Sequence, residues 1–300
     1  MSMMAQIEQA MAQPFSRADA ASAPPRLLAA MRHAVFPGGA RIRPQLCLAV
    51  ARACGNDAPE LSQAAAVSIE LMHCASLVHD DMPCFDDADT RRGLPTVHKQ
   101  FGEPLALLAG DALIVMAFQT LAQAGVSHPQ RLAALLLGLC EGTGAPDGIV
   151  AGQAWECEPR VHLGQYQRAK TGALFVTATC AGAQSAGADP APWRRLGDCL
   201  GEAYQVADDI RDVMGADQLG KPTGQDAQHG RPSTAADLGL QGAVAYFRDL
   251  MASAVASVPT CPSRAALQQL VLMESERLLP QSACDQIERQ QAALRRKAVA

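Results

Sequence analysis

Apolar positions along this chain recur at steps of three and four. In residues 61–79 the series Ala65, Ile69, Met72, Ser76 and Leu77 keeps to one helical face and runs into His79. The same periodicity predicts helices over 26–36, 44–54, 104–124, 129–142, 162–187, 193–213, 234–256, 263–278 and 281–297. Pro24-Pro25, Pro37-Gly38-Gly39, Pro83, Pro95, Asp189-Pro190-Ala191-Pro192, Pro259 and Pro280 punctuate them. Alternating segments are few and no Asn-Gly pair offers a hairpin turn, so strands are scarce. The prediction is an all-α fold, a single domain over residues 1–300 with about ten or more helices. Too many of the helices are strongly apolar for an isolated four-helix bundle, so several must be buried on most sides. The longest polar, glycine-rich stretch is 215–232, and a loop of that length is either functional or disordered.

Composition narrows this picture. Of 300 residues, 49% are hydrophobic, 18% charged and 4% aromatic, which excludes a disordered chain and favours helices over a β-sandwich. The 25 basic against 30 acidic residues give −5, so there is no basic footprint for nucleic acid. Ten cysteines without a CxxC pair read as reduced, mostly buried thiols of a cytoplasmic protein. Residues 1–20 lack a basic segment followed by an apolar run, so no signal peptide is expected. The most apolar stretch, 105–121, contains Gly110 and Asp111 and reads as a buried helix, not a membrane segment.

Two acidic clusters carry the chemistry. The first holds Asp80, Asp81, Asp86, Asp87 and Asp89, followed by Arg91 and Arg92; the second holds Asp208, Asp209 and Asp212. Asp208 and Asp212 are one helical turn apart on one face, where like charges repel unless something neutralises them. Asp80 and Asp86 are six apart and would point to different sides of a regular helix. If two residues bulge out at Pro83-Cys84, they regain an i, i+4 relation. An arbitrary Asp-Asp pair is usually a solvated face. Two clusters that each end a long apolar run, with arginine beside them, instead suit Mg²⁺ held by carboxylates together with a substrate phosphate. Arg41 and Arg43 after the Gly38-Gly39 turn, Arg91-Arg92, Lys170-Thr171, Lys221 and Arg231 supply what anionic headgroups require.

At this point the chain resembles the trans-prenyl diphosphate synthases. Asp80-Asp81-x4-Asp86 with Arg91-Arg92-Gly93 is similar to that family's first aspartate-rich motif, and Asp208-Asp209-Ile210-Arg211-Asp212 to its second. Lys221-x2-Gly224-x-Asp226 is similar to the glycine-rich segment that follows, and Glu70-x2-His73-x2-Ser76 to the helix leading into the first motif. The likeness is strongest to bacterial geranylgeranyl diphosphate synthases of carotenoid and bacteriochlorophyll pathways, through HDDMPCFDDADTRRGLPTVHKQFGE and AKTGALF. It implies an isoprenoid synthase fold, a helical bundle around a central product cavity, and Mg²⁺-dependent head-to-tail condensation of isoprenoid diphosphates by a homodimer. It implies three Mg²⁺ per active site, with Mn²⁺ able to substitute, held by Asp80, Asp86, Asp208 and Asp212, with Asp81, Asp209 and Asp226 nearby. It implies that Arg91, Lys170, Thr171, Gln205, Lys221 and Arg231 serve the allylic diphosphate, and that Gly39, Arg41, Arg43, His73 and Arg92 serve isopentenyl diphosphate.

The chain departs from the family pattern in four places: Ala40 for a lysine, Glu156 for the Asp expected after Gln153, Arg231 for Lys and Ser233 for Thr. Only Ala40 removes a charge. By the same resemblance, Ala75 and Ser76, before the first Asp, form part of the product pocket's floor. A small Ala75 leaves depth for a C20 tail, while Met116 and Phe118 on the next helix could raise the floor and return a C15 product. The alternatives are a farnesyl diphosphate synthase and a weakly active partner subunit, the latter motivated by Ala40. Head-to-head synthesis leaves the Gly-Gly-x-Arg-x-Arg turn unexplained.

Overall fold

The computed structural model describes residues 2–20, 23–160, 162–214, 233–284, 287 and 289, and they are overwhelmingly helical. The helices are α1 (Met3–Ala20), α2 (Pro25–Val35), α3 (Ile42–Ala53), α4 (Pro59–Asp80), α5 (Val97–Phe101), α6 (Glu103–Gly125), α7 (Pro129–Thr143), α8 (Ile149–Ala154), α9 (Leu163–Gln167), α10 (Ala173–Ser185), α11 (Ala191–Met214), α12 (Thr234–Ser257) and α13 (Arg264–Leu278). A two-residue hairpin pairs Thr90 with Pro95 and Arg91 with Leu94. Proline sits in the first turn of α2, α4, α6 and α7, where its missing N–H costs nothing and its fixed φ suits a helix start.

Two cores are joined by shared walls. Met11, Met31, Ile69, Leu71, Leu113 and Leu139 belong to the first, built from α1, α2, α4, α6 and α7. Leu46, Phe175, Leu196, Ile210, Phe247 and Leu267 belong to the second, built around α11, α12 and α13. α3 and α10 send residues into both: Cys47 and Leu174 into the first, Leu46 and Phe175 into the second. Each therefore buries opposite faces, as expected of strongly apolar helices.

Several sequence expectations change. α1 was not among the predicted helices, although Ile7, Ala10, Met11 and Phe15 are buried at helical spacing. The predicted helix 162–187 is divided: α9 passes into a π-helical segment, Arg168–Gly172, before α10. α12 carries a kink at Gly239, whose φ of 67° only glycine adopts freely. The predicted helix 281–297 falls mostly outside the described residues. The stretch 105–121 is not buried on all sides: within α6, Leu107, Leu108 and Val115 are 48%, 51% and 65% exposed. α4 and α6 are both long and apolar enough to cross a membrane, and α4 is largely buried within the protein. All ten cysteines are free, but Cys84, Cys140 and Cys157 are exposed and only four are fully buried.

Candidate active site

α4 ends at Asp80 and the chain then folds back on itself. The Asp86 N–H donates to the Asp80 carbonyl at 3.0 Å, and those of Asp87 and Ala88 donate to Met82 and Asp81. A helical i→i+4 bond has become i→i+6, with the surplus taken up around Pro83, which has no N–H to place. Cys84 and Phe85 project outward as a result. Carboxylate oxygens of Asp80 and Asp86 consequently lie within 4.8 Å of one another and of a third, on Glu156 beyond α8. No other such acidic group occurs among the described residues, and Asp208 and Asp212 do not join this one.

Asp81 turns away from that trio. It is buried and receives Nε of Arg91 at 2.8 and 2.9 Å and Nη2 at 2.6 Å. Burial pushes its carboxyl above the usual range, against the pull of Arg91. The second cluster divides in the same way. Asp208 is half-exposed and paired with Arg211 one turn on. Asp209 is buried and accepts Nε2 of Gln205 at 3.0 Å and the backbone N–H of Thr234 at 2.7 Å. It therefore caps the start of α12 from α11, and burial raises its pKa. In both pairs the second carboxylate is buried while the first keeps more solvent exposure, 14% for Asp80 and 46% for Asp208.

One dipeptide links the two clusters. Nζ of Lys170 lies 3.2 Å from Asp80 and 2.5 Å from Glu156. The Thr171 hydroxyl donates to Gln205 at 3.0 Å, one turn before Asp208-Asp209. Both residues lie in the π-helical segment, a local widening often found at functional sites.

The cationic side is built on α3, α4 and the hairpin. Arg43 is buried, with its guanidinium carbon 4.4 Å from the Phe175 ring centre and 5.8 Å from that of Tyr204. No ion pair reaches it among the described residues, and its Nε has no hydrogen-bond partner. Burial holds its pKa below the ordinary arginine value. Arg92 donates to the Gly38 carbonyl and lies against Gly39, where a Cβ would stand 2.9 Å from the guanidinium carbon. That close approach, with a φ of 151°, is why position 39 needs glycine. His73 is held well below its ordinary pKa by burial and by Arg43, Arg92 and Arg91, so it is neutral at pH 7. Ser76 donates to the His73 carbonyl at 2.8 Å.

Arg41 is engaged differently from Arg43. Its buried guanidinium is consumed by Glu70 at 2.7 Å, Glu8 at 2.8 Å and the Val35 carbonyl at 2.6 Å. It braces α1, α2 and α4, and its side chain, 0% exposed, is turned inward onto these partners. Ala75 is buried in the same core as Met116, with Phe118 packed against it. The pocket lined by His33, Pro37, Cys74, Leu77, Asp81 and Arg92 includes neither Ala75 nor Ser76. Lys221, Gly224, Asp226 and Arg231 lie outside the described residues.

Sequence reasoning gave no site role to Glu156, Tyr166, Phe175 or Tyr204. The Gln153-x-x-Glu156 pattern marks Glu156 only as a departure from an expected Asp; its carboxylate accepts the Gln153 amide at 3.3 Å. Phe175 and Tyr204 become legible as a platform only once α10 and α11 are packed together.

Residues 24–266 match the family model described as polyprenyl synthetase. A geranylgeranyl diphosphate synthase from Cereibacter sphaeroides is 53% identical over 275 residues, covering 91% of this chain and 96% of its own length. One from Rhodobacter capsulatus is 48% identical over 280 residues, covering 93% and 97%.

This chain belongs to the polyprenyl synthetase family.

Its fold agrees. A geranyltransferase from Helicobacter pylori, solved with magnesium and isoprenyl diphosphate, is 30% identical with a TM-score of 0.74, covering 84% of this chain and 88% of that one. Enzymes of this family depend on Mg²⁺ in general. The trio of Asp80, Asp86 and Glu156 fits such an ion, because it offers only hard oxygen donors and already draws the Lys170 ammonium between two of them.

Proposed function

We propose that this chain is a geranylgeranyl diphosphate synthase, extending allylic diphosphates with isopentenyl diphosphate, head to tail, to a C20 product. The observation that carries the reading is a pair of opposed charge stores flanking the end of α4. On one side stand the carboxylates of Asp80, Asp86 and Glu156. On the other stands Arg43, buried without a counter-ion among the described residues, beside neutral His73 and Arg92. A buried cation without a carboxylate is costly unless an anion completes it. A diphosphate does so for Arg43, while a metal-bound diphosphate completes the acidic side.

When bound, Mg²⁺ would supply positive charge to the allylic diphosphate leaving group. Asp80, Asp86, Asp208 and Asp212 would hold it, three ions to a site, with Mn²⁺ able to substitute. Arg91 and Lys170 orient the same diphosphate. The Thr171 hydroxyl and the Gln205 amide place dipoles beside the allylic cation as the bond to oxygen breaks. Arg43, Arg92 and His73 hold isopentenyl diphosphate so that its double bond attacks that cation. The released diphosphate takes the proton. The apolar walls of α4 and α6 keep water from the cation.

Small Ala75 at the tail end supports the C20 length, as do the names of the two relatives. The exposed apolar face of α6 supports a homodimer through that helix, since Leu107, Leu108 and Val115 would be covered by a second copy. The ten free thiols support a cytoplasmic location. The two interlocked cores support action as one domain. The test is a product assay: purified protein with Mg²⁺, isopentenyl diphosphate and C5, C10 or C15 primers, the dephosphorylated products resolved by length. A dominant C20 alcohol is expected. A C15 alcohol would overturn the floor assignment, and no product from any primer would favour the partner-subunit reading.

A further inference from the structure

Lys170 is placed as a resident cation of the site. Its ammonium bridges Asp80 and Glu156 at 3.2 and 2.5 Å and stands 5.8 Å from the centre of the Tyr166 ring. Glu156 is itself fixed from two further directions. The Tyr166 hydroxyl donates to Oε1 at 2.6 Å and the Gln153 amide to Oε2 at 3.3 Å. The backbone is fixed as well. Gly152 of α8 lies so close to the π-helical segment that a Cβ there would overlap the Lys170 main chain. So α8, which leads to Glu156, packs directly on the residue that Glu156 holds.

The two partners of Lys170 differ in kind. Both belong to the acidic trio, but besides Lys170 Asp80 has, among the described residues, only Arg91 at 3.9 Å, so a divalent ion competes with the ammonium chiefly for Asp80. Glu156 is anchored by Tyr166 and Gln153 whatever happens at Asp80. We propose that Glu156 is a positioning residue that tethers Lys170 through an exchange of counter-ions. Before metal arrives, the ammonium neutralises Asp80. When a divalent cation takes Asp80, Lys170 releases that carboxylate but stays tethered by Glu156, its remaining N–H donors free for the incoming diphosphate. The exchange spares the carboxylates from standing uncompensated at close range, and it delivers the lysine to the place where the leaving group needs it. This rests on the metal-dependent diphosphate chemistry proposed above.

The test reads Lys170 directly. Pulse labelling with acetic anhydride, quantified by mass spectrometry, compares its reactivity with that of exposed Lys99 in the same sample. Mn²⁺ binding is followed by electron paramagnetic resonance. In the wild-type protein Mn²⁺ is expected to raise Lys170 labelling at least threefold, and added inorganic diphosphate to lower it again. Glu156→Gln is expected to label at least threefold faster before any metal is added, and Glu156→Asp, which keeps the charge, to remain slow. Lys170→Met is expected to bind Mn²⁺ about tenfold more tightly, although it turns over poorly. Bound Mn²⁺ that leaves Lys170 labelling unchanged would overturn the exchange, as would absence of Mn²⁺ binding to both proteins. Equal labelling of Glu156→Gln and wild type would overturn the tether. A wild-type product assay run alongside separates this failure from failure of the prenyltransferase reading, since product can form without any exchange.

Discussion

Replacing Arg41 by methionine removes a guanidinium whose side chain is 0% exposed and leaves Glu70, 3% exposed, without its partner. Breaking a buried pair from one side costs about 3–5 kcal/mol, because the remaining charge is stranded. In a chain of 300 residues, each kcal/mol moves Tm by about 2 °C, so Arg41→Met should melt about 6–10 °C lower. Changing both partners, Arg41→Met with Glu70→Leu, should recover most of that loss, since an apolar pair of similar volume is often neutral or better. Arg43, two residues on and also buried, should behave in the opposite way. Among the described residues it has no carboxylate to strand, and it lies against two aromatic faces whose attraction is worth about 2 kcal/mol when desolvated. Removing its charge also removes a desolvation penalty of several kcal/mol. Arg43→Met should therefore melt within about 2 °C of wild type or higher. Its KM for isopentenyl diphosphate should rise about tenfold or more, the equivalent of one charged hydrogen bond of roughly 1.5–3 kcal/mol. The assays are differential scanning calorimetry and initial rates over a range of isopentenyl diphosphate concentrations. An Arg41→Met protein with unchanged Tm and a tenfold higher KM would refute the assignment of Arg41 as a brace.

Three further outcomes follow from the same geometry. Ala75→Tyr should shorten the dominant product from C20 to C15 in the product assay; unchanged length would place the floor elsewhere. His73 is neutral in the fold while an unfolded chain takes up its proton near pH 6.5; the unfolded state thus binds more protons below that pH, and stability should fall there by up to about 1.4 kcal/mol per unit with no contribution above pH 7. Urea titrations from pH 7.5 to 5.5 should show a flatter acid limb in His73→Gln, and an identical limb would contradict the neutral imidazole. Asp209→Asn weakens the acceptor for the Thr234 N–H and should cost about 1–3 kcal/mol, with hydrogen exchange quickening first at the start of α12; uniform exchange across α12 would show that Asp209 does not hold that end.

Much of this protein was legible because its signals are local. The helical period placed α2, α4, α6, α7 and α11 to within a residue or two of their observed bounds, and the bulge at Pro83-Cys84 followed from a proline that cannot donate and two carboxylates six residues apart. What escaped depends on partners distant in sequence. Arg41 and Arg43 belong to one short run, and nothing in that run says which is a brace. The difference is made by Glu70, 29 residues away, and Glu8, 33 residues away on a helix that sequence reading did not predict. The same holds for Lys170, whose tie to Asp80 spans 90 residues. A motif names the residue types a reaction needs. Which of two like-charged neighbours is already neutralised is decided by packing, because the cost of a buried charge depends on what stands within about 4 Å of it. The free partner is then the one left to bind substrate. For this chain that test separates Arg43 from Arg41; the aspartates are separated by exposure instead, since Asp80 and Asp208 are ion-paired but reach solvent while Asp81 and Asp209 are buried.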